Sequence, residues 1–223
     1  MAEAANPVLI GKPVVDIANA NKQAEAKDDA EFSALSRSKW DSQVEWYTKN
    51  ERYELPQIIC CAEMTDLPMK TGPVIEVACG PGLHSETLAM SFLKGSGSTL
   101  VSCDFSRGMV QRMEQRYTQS DFTKLEGNKV IIDAQTDYAD VANEDRVDLE
   151  RVINENGPYN KLVYGCVADN MRLPFADSTF EAYISNLSLM TVQHRERQIS
   201  EAFRVLKPGS RACFAIWGRE ENS

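Results

Sequence analysis

The chain has 223 residues, 43% of them hydrophobic and 26% charged, which is the composition of an ordinary globular protein with enough length to bury a substantial core. Disorder throughout and fibrous repeats are excluded. Lysine plus arginine number 24 against 33 aspartate plus glutamate, and the net charge of -9 disfavours a surface built to bind nucleic acid or anionic lipid.

In chain order, residues 1–29 are rich in Ala, Asn, Lys and Asp without a sustained period and read as a flexible leader. Residues 30–71 form a helical preface: Phe32, Leu35, Trp40, Val44 and Tyr47 recur near helical spacing, and a second helical run covers Leu55–Glu63. Residues 72–223 alternate strands with helices. Strands are predicted at Val74–Ala78, Thr99–Asp104, Lys161–Val167, Glu181–Asn186 and Arg211–Trp217. Helices are predicted at Ser85–Leu93, Gly108–Tyr117 and Arg195–Leu206, the last with Ile199, Ala202, Phe203 and Leu206 on its core face and a stop at Lys207-Pro208-Gly209. This alternation implies an α/β doubly wound, mainly parallel sheet with helices on both faces.

Residues 121–160 are too long for a simple connection in such a fold. They hold ten acidic and four basic residues and so carry -6 of the net charge. They read as an acidic insertion with a short strand at Lys129–Ile132 and an amphipathic helix near Glu144–Asn154; a partner-docking or gating element is the alternative.

The longest apolar stretches, such as Val74–Cys79 and Ala212–Trp217, are far shorter than the roughly 18 residues of a membrane helix, and no signal-like segment opens the chain. A cytoplasmic or nuclear protein is expected. Cys60, Cys61, Cys79, Cys103, Cys166 and Cys213 lack C-x-x-C spacing and read as reduced thiols, with no metal implied.

The chemistry concentrates at Val74-Ile-Glu-Val-Ala-Cys-Gly-Pro-Gly-Leu-His-Ser85, a strand entering a glycine loop and then a helix. Gly80 and Gly82 allow a tight turn and let a ligand approach main-chain N–H groups at the positive end of the helix. The next strand ends in Cys103-Asp104-Phe105, which places a carboxylate at the neighbouring strand tip, where it can accept hydrogen bonds from ribose hydroxyls. Two features point away from a nicotinamide dinucleotide: Ser85 at the third small position and Glu76 inside the first strand.

The run E-V-A-C-G-P-G resembles the (D/E)-x-G-x-G-x-G motif of class I S-adenosylmethionine-dependent methyltransferases. Three further segments are similar to that family in the same order: Val101–Ser106 with Met109, Val167–Glu181 and Arg204–Gly209. The resemblance implies S-adenosyl-L-methionine as cofactor. Glu76, Ala78, Gly80 and Gly82 would frame its methionine and ribose, Asp104 would hold the ribose hydroxyls, and Phe105 would lie beside the adenine. Asp169 and Asn170 would hold the adenine edge, and Asn186 would line the methionine end. Asp104 and Asp169 read otherwise as helix caps, Phe105 as core and Asn186 as a turn residue. Ala78 replaces the first glycine of the motif. The predicted sheet lacks the last two strands of the family's usual seven, so a homodimer or partner chain covering the exposed edge is an expectation.

Methyl transfer needs alignment and exclusion of water more than acid–base help. His194 reads as a general base or as a helix-start residue, and His84 as structural. Trp40, Trp46, Tyr47 and Tyr53 read as a lid over the cofactor cleft or as packing on the sheet's flank. The acceptor is expected to be a small molecule, less so a protein side chain. A catalytically silent methyltransferase-like subunit serving as a binding partner or scaffold is the alternative.

Overall fold

Helical crossovers return the chain to the same end of a sheet, so alternating strands and helices build parallel ladders. The computed structural model describes residues 29–95, 97–140 and 146–218; the expected leader before Asp29 lies outside the described residues, as does the start of the helix expected from Glu144. By compactness the chain divides into Met1–Ser36 and Arg37–Ser223. Of the first unit, residues 29–36 are described and are helical. The second opens with helical residues 37–42 (α1), then α2 (Val44–Asn50), a 3-10 turn at Glu51–Glu54 and α3 (Leu55–Met64).

The remaining elements are β1 (Val74–Val77), α4 (Leu83–Ser91), β2 (Ser98–Asp104), α5 (Arg107–Gln119), β3 (Lys129–Asp137), α6 (Leu149–Asn156), β4 (Lys161–Val167), β5 (Phe180–Asn186), α7 (Arg195–Val205) and β6 (Leu206–Ala215). Among the described residues one six-stranded sheet forms in the order β3-β4-β2-β1-β5-β6, and every pairing is parallel. Side chains alternate between its faces with the period of two that a strand imposes. Val74, Leu100, Val163 and Ile184 meet α3, α4 and α5 through Ile58, Leu88 and Met113. Ile75, Val101, Tyr164 and Tyr183 meet α6 and α7 through Leu149, Ala202 and Val205. The two cores give the doubly wound fold expected from the sequence. Among the described residues no helix is long and apolar enough to cross a membrane, and no group of three or more His, Cys, Asp or Glu is placed to hold a metal.

Three local expectations are corrected. The segment read as an insertion with a short strand at Lys129–Ile132 supplies a full edge strand, Lys129–Asp137, and the crossover helix α6. Strand β4 lies between β2 and β3, so β3 gains a ladder along Lys129–Asp133 and again at Asp137 after a register shift. Helix α6 starts at Leu149, where the Asp148 side chain accepts from the Arg151 N–H at 2.9 Å and caps it. At the other edge, Lys207-Pro208-Gly209 belongs to β6 and falls at its register shift against β5; a proline is tolerated on an edge strand beside an irregularity.

Helix α7 buries a different face from the one its apolar residues suggest. Gln198, Ala202 and Val205 are buried, while Ile199 and Phe203 are 48% and 85% exposed. Polar contacts set this rotation. The Gln198 amide donates to Ser185 Oγ at 3.0 Å and Ser188 Oγ at 3.1 Å, and Arg204 reaches the carbonyls of Leu173 at 2.9 Å and Phe175 at 2.7 Å.

Candidate active site

From β1 the sheet grows through β2 and β4 on one side and through β5 on the other, and the crevice at such a switch point is where doubly wound sheets bind ligands. The register brings the carboxyl ends level: Val77 lies between Cys103 and Ser185, and Asp104 sits beside Val167. Asp169 and Asn170, Asp104, the Ala78–Gly82 loop and Asn186 therefore follow strand ends along one edge.

The loop turns through three positive-φ residues, Ala78 at 52°, Gly80 at 58° and Gly82 at 94°. A Cβ built on Gly80 would meet nothing within 4 Å, so the loop borders open space there. One on Gly82 would stand 2.6 Å from Met113 Cγ, which holds the loop down on α5. The Gly80 N–H donates to Asp104 Oδ2 at 2.9 Å, and the Ser106 N–H donates to Asp104 Oδ1 at 2.8 Å. A carboxylate has about four acceptor sites, so capacity is left for a further donor. Asp104 is not a helix cap, because Ser106 holds that position on α5 and accepts from the Met109 N–H at 3.1 Å. Burial pushes the Asp104 carboxyl up to about 6, against the Ser106, Gly80 and Phe105 N–H groups that favour its charge.

Glu76 is buried on the face shared with Ser85 and Ser102, whose hydroxyls donate to its Oε2 at 2.6 and 3.2 Å. Its Oε1 has no partner, and burial pushes the carboxyl up to about 8 despite the two serines. At the tip of β5, Asn186 is 6% exposed, and among the described residues neither its Oδ1 nor its Nδ2 has a partner. A buried amide with both ends unsatisfied is costly unless a ligand meets it.

On the far side of Asp104, Phe105 is half-buried and rests one side on the core. Asp169 accepts from the Met171 N–H at 2.8 Å, and burial raises its carboxyl. The Asn170 amide is buried and reaches Ser188 Oγ at 3.4 Å. The Met109 side chain is buried in the first turn of α5. His194 occupies the helix-start position of α7 with its Nδ1 3.4 Å from Glu196 Oε1. His84 is buried, its Nε2 3.2 Å from the Glu51 carbonyl, and burial lowers its pKa, which suits a neutral structural residue.

Several residues beside this edge escape sequence reasoning. Asp41 accepts from the Ser106 hydroxyl and from the Gly108 N–H at 3.1 Å, tying the N-terminal segment to the start of α5. Glu51 is buried, accepts from the Leu83 N–H at 3.1 Å at the start of α4 and pairs with Arg116. Burial outweighs the Arg116 charge and lifts Glu51 to about 7. Burial also raises the Tyr47 phenol, with the Glu54 and Asp104 charges adding to the shift. Trp40 and Trp46 pack edge-on against Tyr47 at 5.7 and 5.1 Å, whereas Tyr53 is 74% exposed. In the sequence these acids stand in a charged helical run and look solvated.

Residues 133–214 match the family described as "Methyltransferase domain". A structure from Methanococcus maripaludis, named as a candidate S-adenosyl-L-methionine-dependent methyltransferase, aligns with a TM-score of 0.51 at 14% identity, covering 78% of this chain and 62% of that one. The fold is that of the class I methyltransferases. Two curated relatives resemble this methyltransferase-fold chain. A demethylmenaquinone methyltransferase of Streptomyces griseus is 25% identical over 141 residues, covering 63% of this chain and 40% of the relative. A ubiquinone/menaquinone biosynthesis C-methyltransferase, UbiE, of Bartonella bacilliformis is 48% identical over 44 residues, covering 20% of this chain and 17% of the relative. The alignments thus span less than half the length of either relative. The residues at the sheet edge fit S-adenosylmethionine: open space beside Gly80, spare acceptors on Asp104 and the unpaired Asn186 amide suit a ligand with ribose hydroxyls and an amino-acid end.

Proposed function

We propose that this chain is an S-adenosylmethionine-dependent methyltransferase that acts on a small-molecule nucleophile. The observation that carries the reading is the Gly80–Asp104 pair, in which the loop N–H orients a strand-tip carboxylate next to the open space beside Gly80. Asp104 would accept from the ribose hydroxyls, and Asp169 and Asn170 would hold the adenine edge against Phe105. Asn186 would offer its oxygen to the cofactor's ammonium and its NH2 group to the carboxylate. Glu76 would brace the loop through Ser85. Residues 30–71 would serve as a lid over residues 72–223, with Tyr47 and its neighbours Trp40 and Trp46 helping to exclude water.

The bound cofactor supplies an electrophilic methyl carbon on a sulfonium, so the chain's work is to align the acceptor and keep the site dry. His194 would stand on the acceptor side, after β5, able to take a proton from a hydroxyl or thiol acceptor. A small acceptor is supported by the relatives' names, which concern quinone and menaquinone precursors. A cytoplasmic location accords with this reading. So does a second copy or partner chain against β6, one of the sheet's two edge strands among the described residues; a strictly monomeric species in concentrated sedimentation would count against that partner.

Calorimetric titration with S-adenosylmethionine and S-adenosylhomocysteine tests the assignment, with Asp104→Ala as control. Loss of hydrogen bonds to a charged acceptor should weaken binding about 10- to 100-fold. Absence of binding to folded wild-type protein would refute the reading.

A further inference from the structure

The outer side of Phe105, where the reading above places the adenine, already carries a side chain. The guanidinium of Arg37 lies 4.7 Å from the Phe105 ring centroid. A flat base between the two groups would need about 7 Å, two van der Waals layers of about 3.5 Å each. Arginine and adenine therefore cannot share that face in the geometry observed.

Arg37 is also held in place. Its Nη1 and Nη2 donate to Asp137 at 2.5 and 3.4 Å, and Asp137 is fixed in turn by the Ala139 N–H at 3.1 Å and by Arg107 at 3.4 Å. Arg107 is anchored to the carbonyls of Ala134 and Gln135 at 2.6 and 2.7 Å. Strand β3, running on to Asp137, is what brings this acid to the site. The Arg37 charge also reaches Asp169, the acid assigned to the adenine amino group.

We propose that Arg37 competes with adenine for its subsite: it covers Phe105 while held by Asp137, and its guanidinium must leave the ring before the base can stack. This inference rests on the methyltransferase reading and makes Arg37 a residue that sets affinity for the base-bearing half of the cofactor. A ligand lacking the base does not have to displace it.

The test compares wild type with Arg37→Ala and Arg37→Gln by calorimetric titration with S-adenosylhomocysteine, adenosine and S-ribosylhomocysteine, which lacks the base. Arg37 is 27% exposed, and circular dichroism with thermal melting checks that the variants fold. Releasing a partly exposed cation–π contact should tighten S-adenosylhomocysteine and adenosine about two- to five-fold, with S-ribosylhomocysteine unchanged. Weaker binding of the base-bearing ligands would make Arg37 a clasp, and equal binding a bystander; either overturns the proposal. Equal tightening of all three ligands would reduce the effect to general electrostatics and overturn it as well. If wild type binds none of them, the methyltransferase reading fails, a result distinct from wild type binding without a gain in the variants.

Discussion

Replacing Glu76 by glutamine should change how stability depends on pH more than it changes stability itself. Glu76 has an ordinary carboxyl value of 4.5 when unfolded and about 8 in the fold, because it is buried with only two hydroxyl donors. Between these values the native chain holds a proton that the unfolded chain has released. Raising the pH through that window therefore favours unfolding by about 1.4 kcal/mol per unit. Glu76's contribution is fully present below pH 4.5 and lost as pH rises through 8, so from pH 5 to pH 7 it removes about 3 kcal/mol. Glutamine keeps the shape and an acceptor for Ser85 and Ser102 but cannot titrate. The stability of Glu76→Gln relative to wild type should thus rise by about 3 kcal/mol over that interval. Asp104 and Glu51, raised to about 6 and about 7, act in the same direction but are common to both proteins and largely cancel. Urea unfolding at pH 5, 6 and 7, followed by tryptophan fluorescence and far-ultraviolet dichroism, reads the difference. A gap between the proteins that stays constant with pH would mean that Glu76 is ionised in the native state and would refute the argument.

Two further perturbations address the loop and the N-terminal segment. Ala78 sits at φ 52°, so Ala78→Gly should relieve left-handed strain and raise the urea midpoint by the equivalent of about 1 kcal/mol; a lower midpoint would show that the Ala78 methyl packs usefully. Asp41→Ala should destabilise by about 1–2 kcal/mol by removing the acceptor of the Gly108 N–H and the Ser106 hydroxyl. It should also lower the Asp104 pKa, which the Asp41 charge helps to raise, as carboxyl chemical shifts would report.

The parts of the fold legible in the sequence were those where one physical signal acted alone. Lys161–Val167 is buried over nearly its whole length, so a continuous apolar run suffices to mark it, and the observed strand has the same bounds. The Gly80–Gly82 turn was readable because its left-handed backbone demands glycine, and the strand end at Asp104 because an apolar run stops there. Strand β3 was read as short because its second half, Asp133 to Asp137, is polar and is held by β4 and by arginines distant in sequence. Helix α7 was assigned the wrong face because its apolar periodicity competes with tertiary hydrogen bonds from Gln198 and Arg204, and those bonds decide the rotation. Arg37, Asp41 and Glu51 were invisible for a related reason: a charge with a fixed partner, on a ring, at a helix start or buried, has the same letter as a charge in water.

The N-terminal segment supplies the acceptors for backbone donors at the starts of two sheet-packed helices, Glu51 for Leu83 on α4 and Asp41 for Gly108 on α5. Those first-turn N–H groups have no intrahelical acceptor of their own. If the segment lifts as the proposed lid, both amides are released to solvent together. The amide protons of Leu83 and Gly108 thus form a matched pair of clocks on opposite sides of the glycine loop. If their deuterium uptake slows in step when S-adenosylhomocysteine is added, the segment moves as one body with the cofactor beneath it.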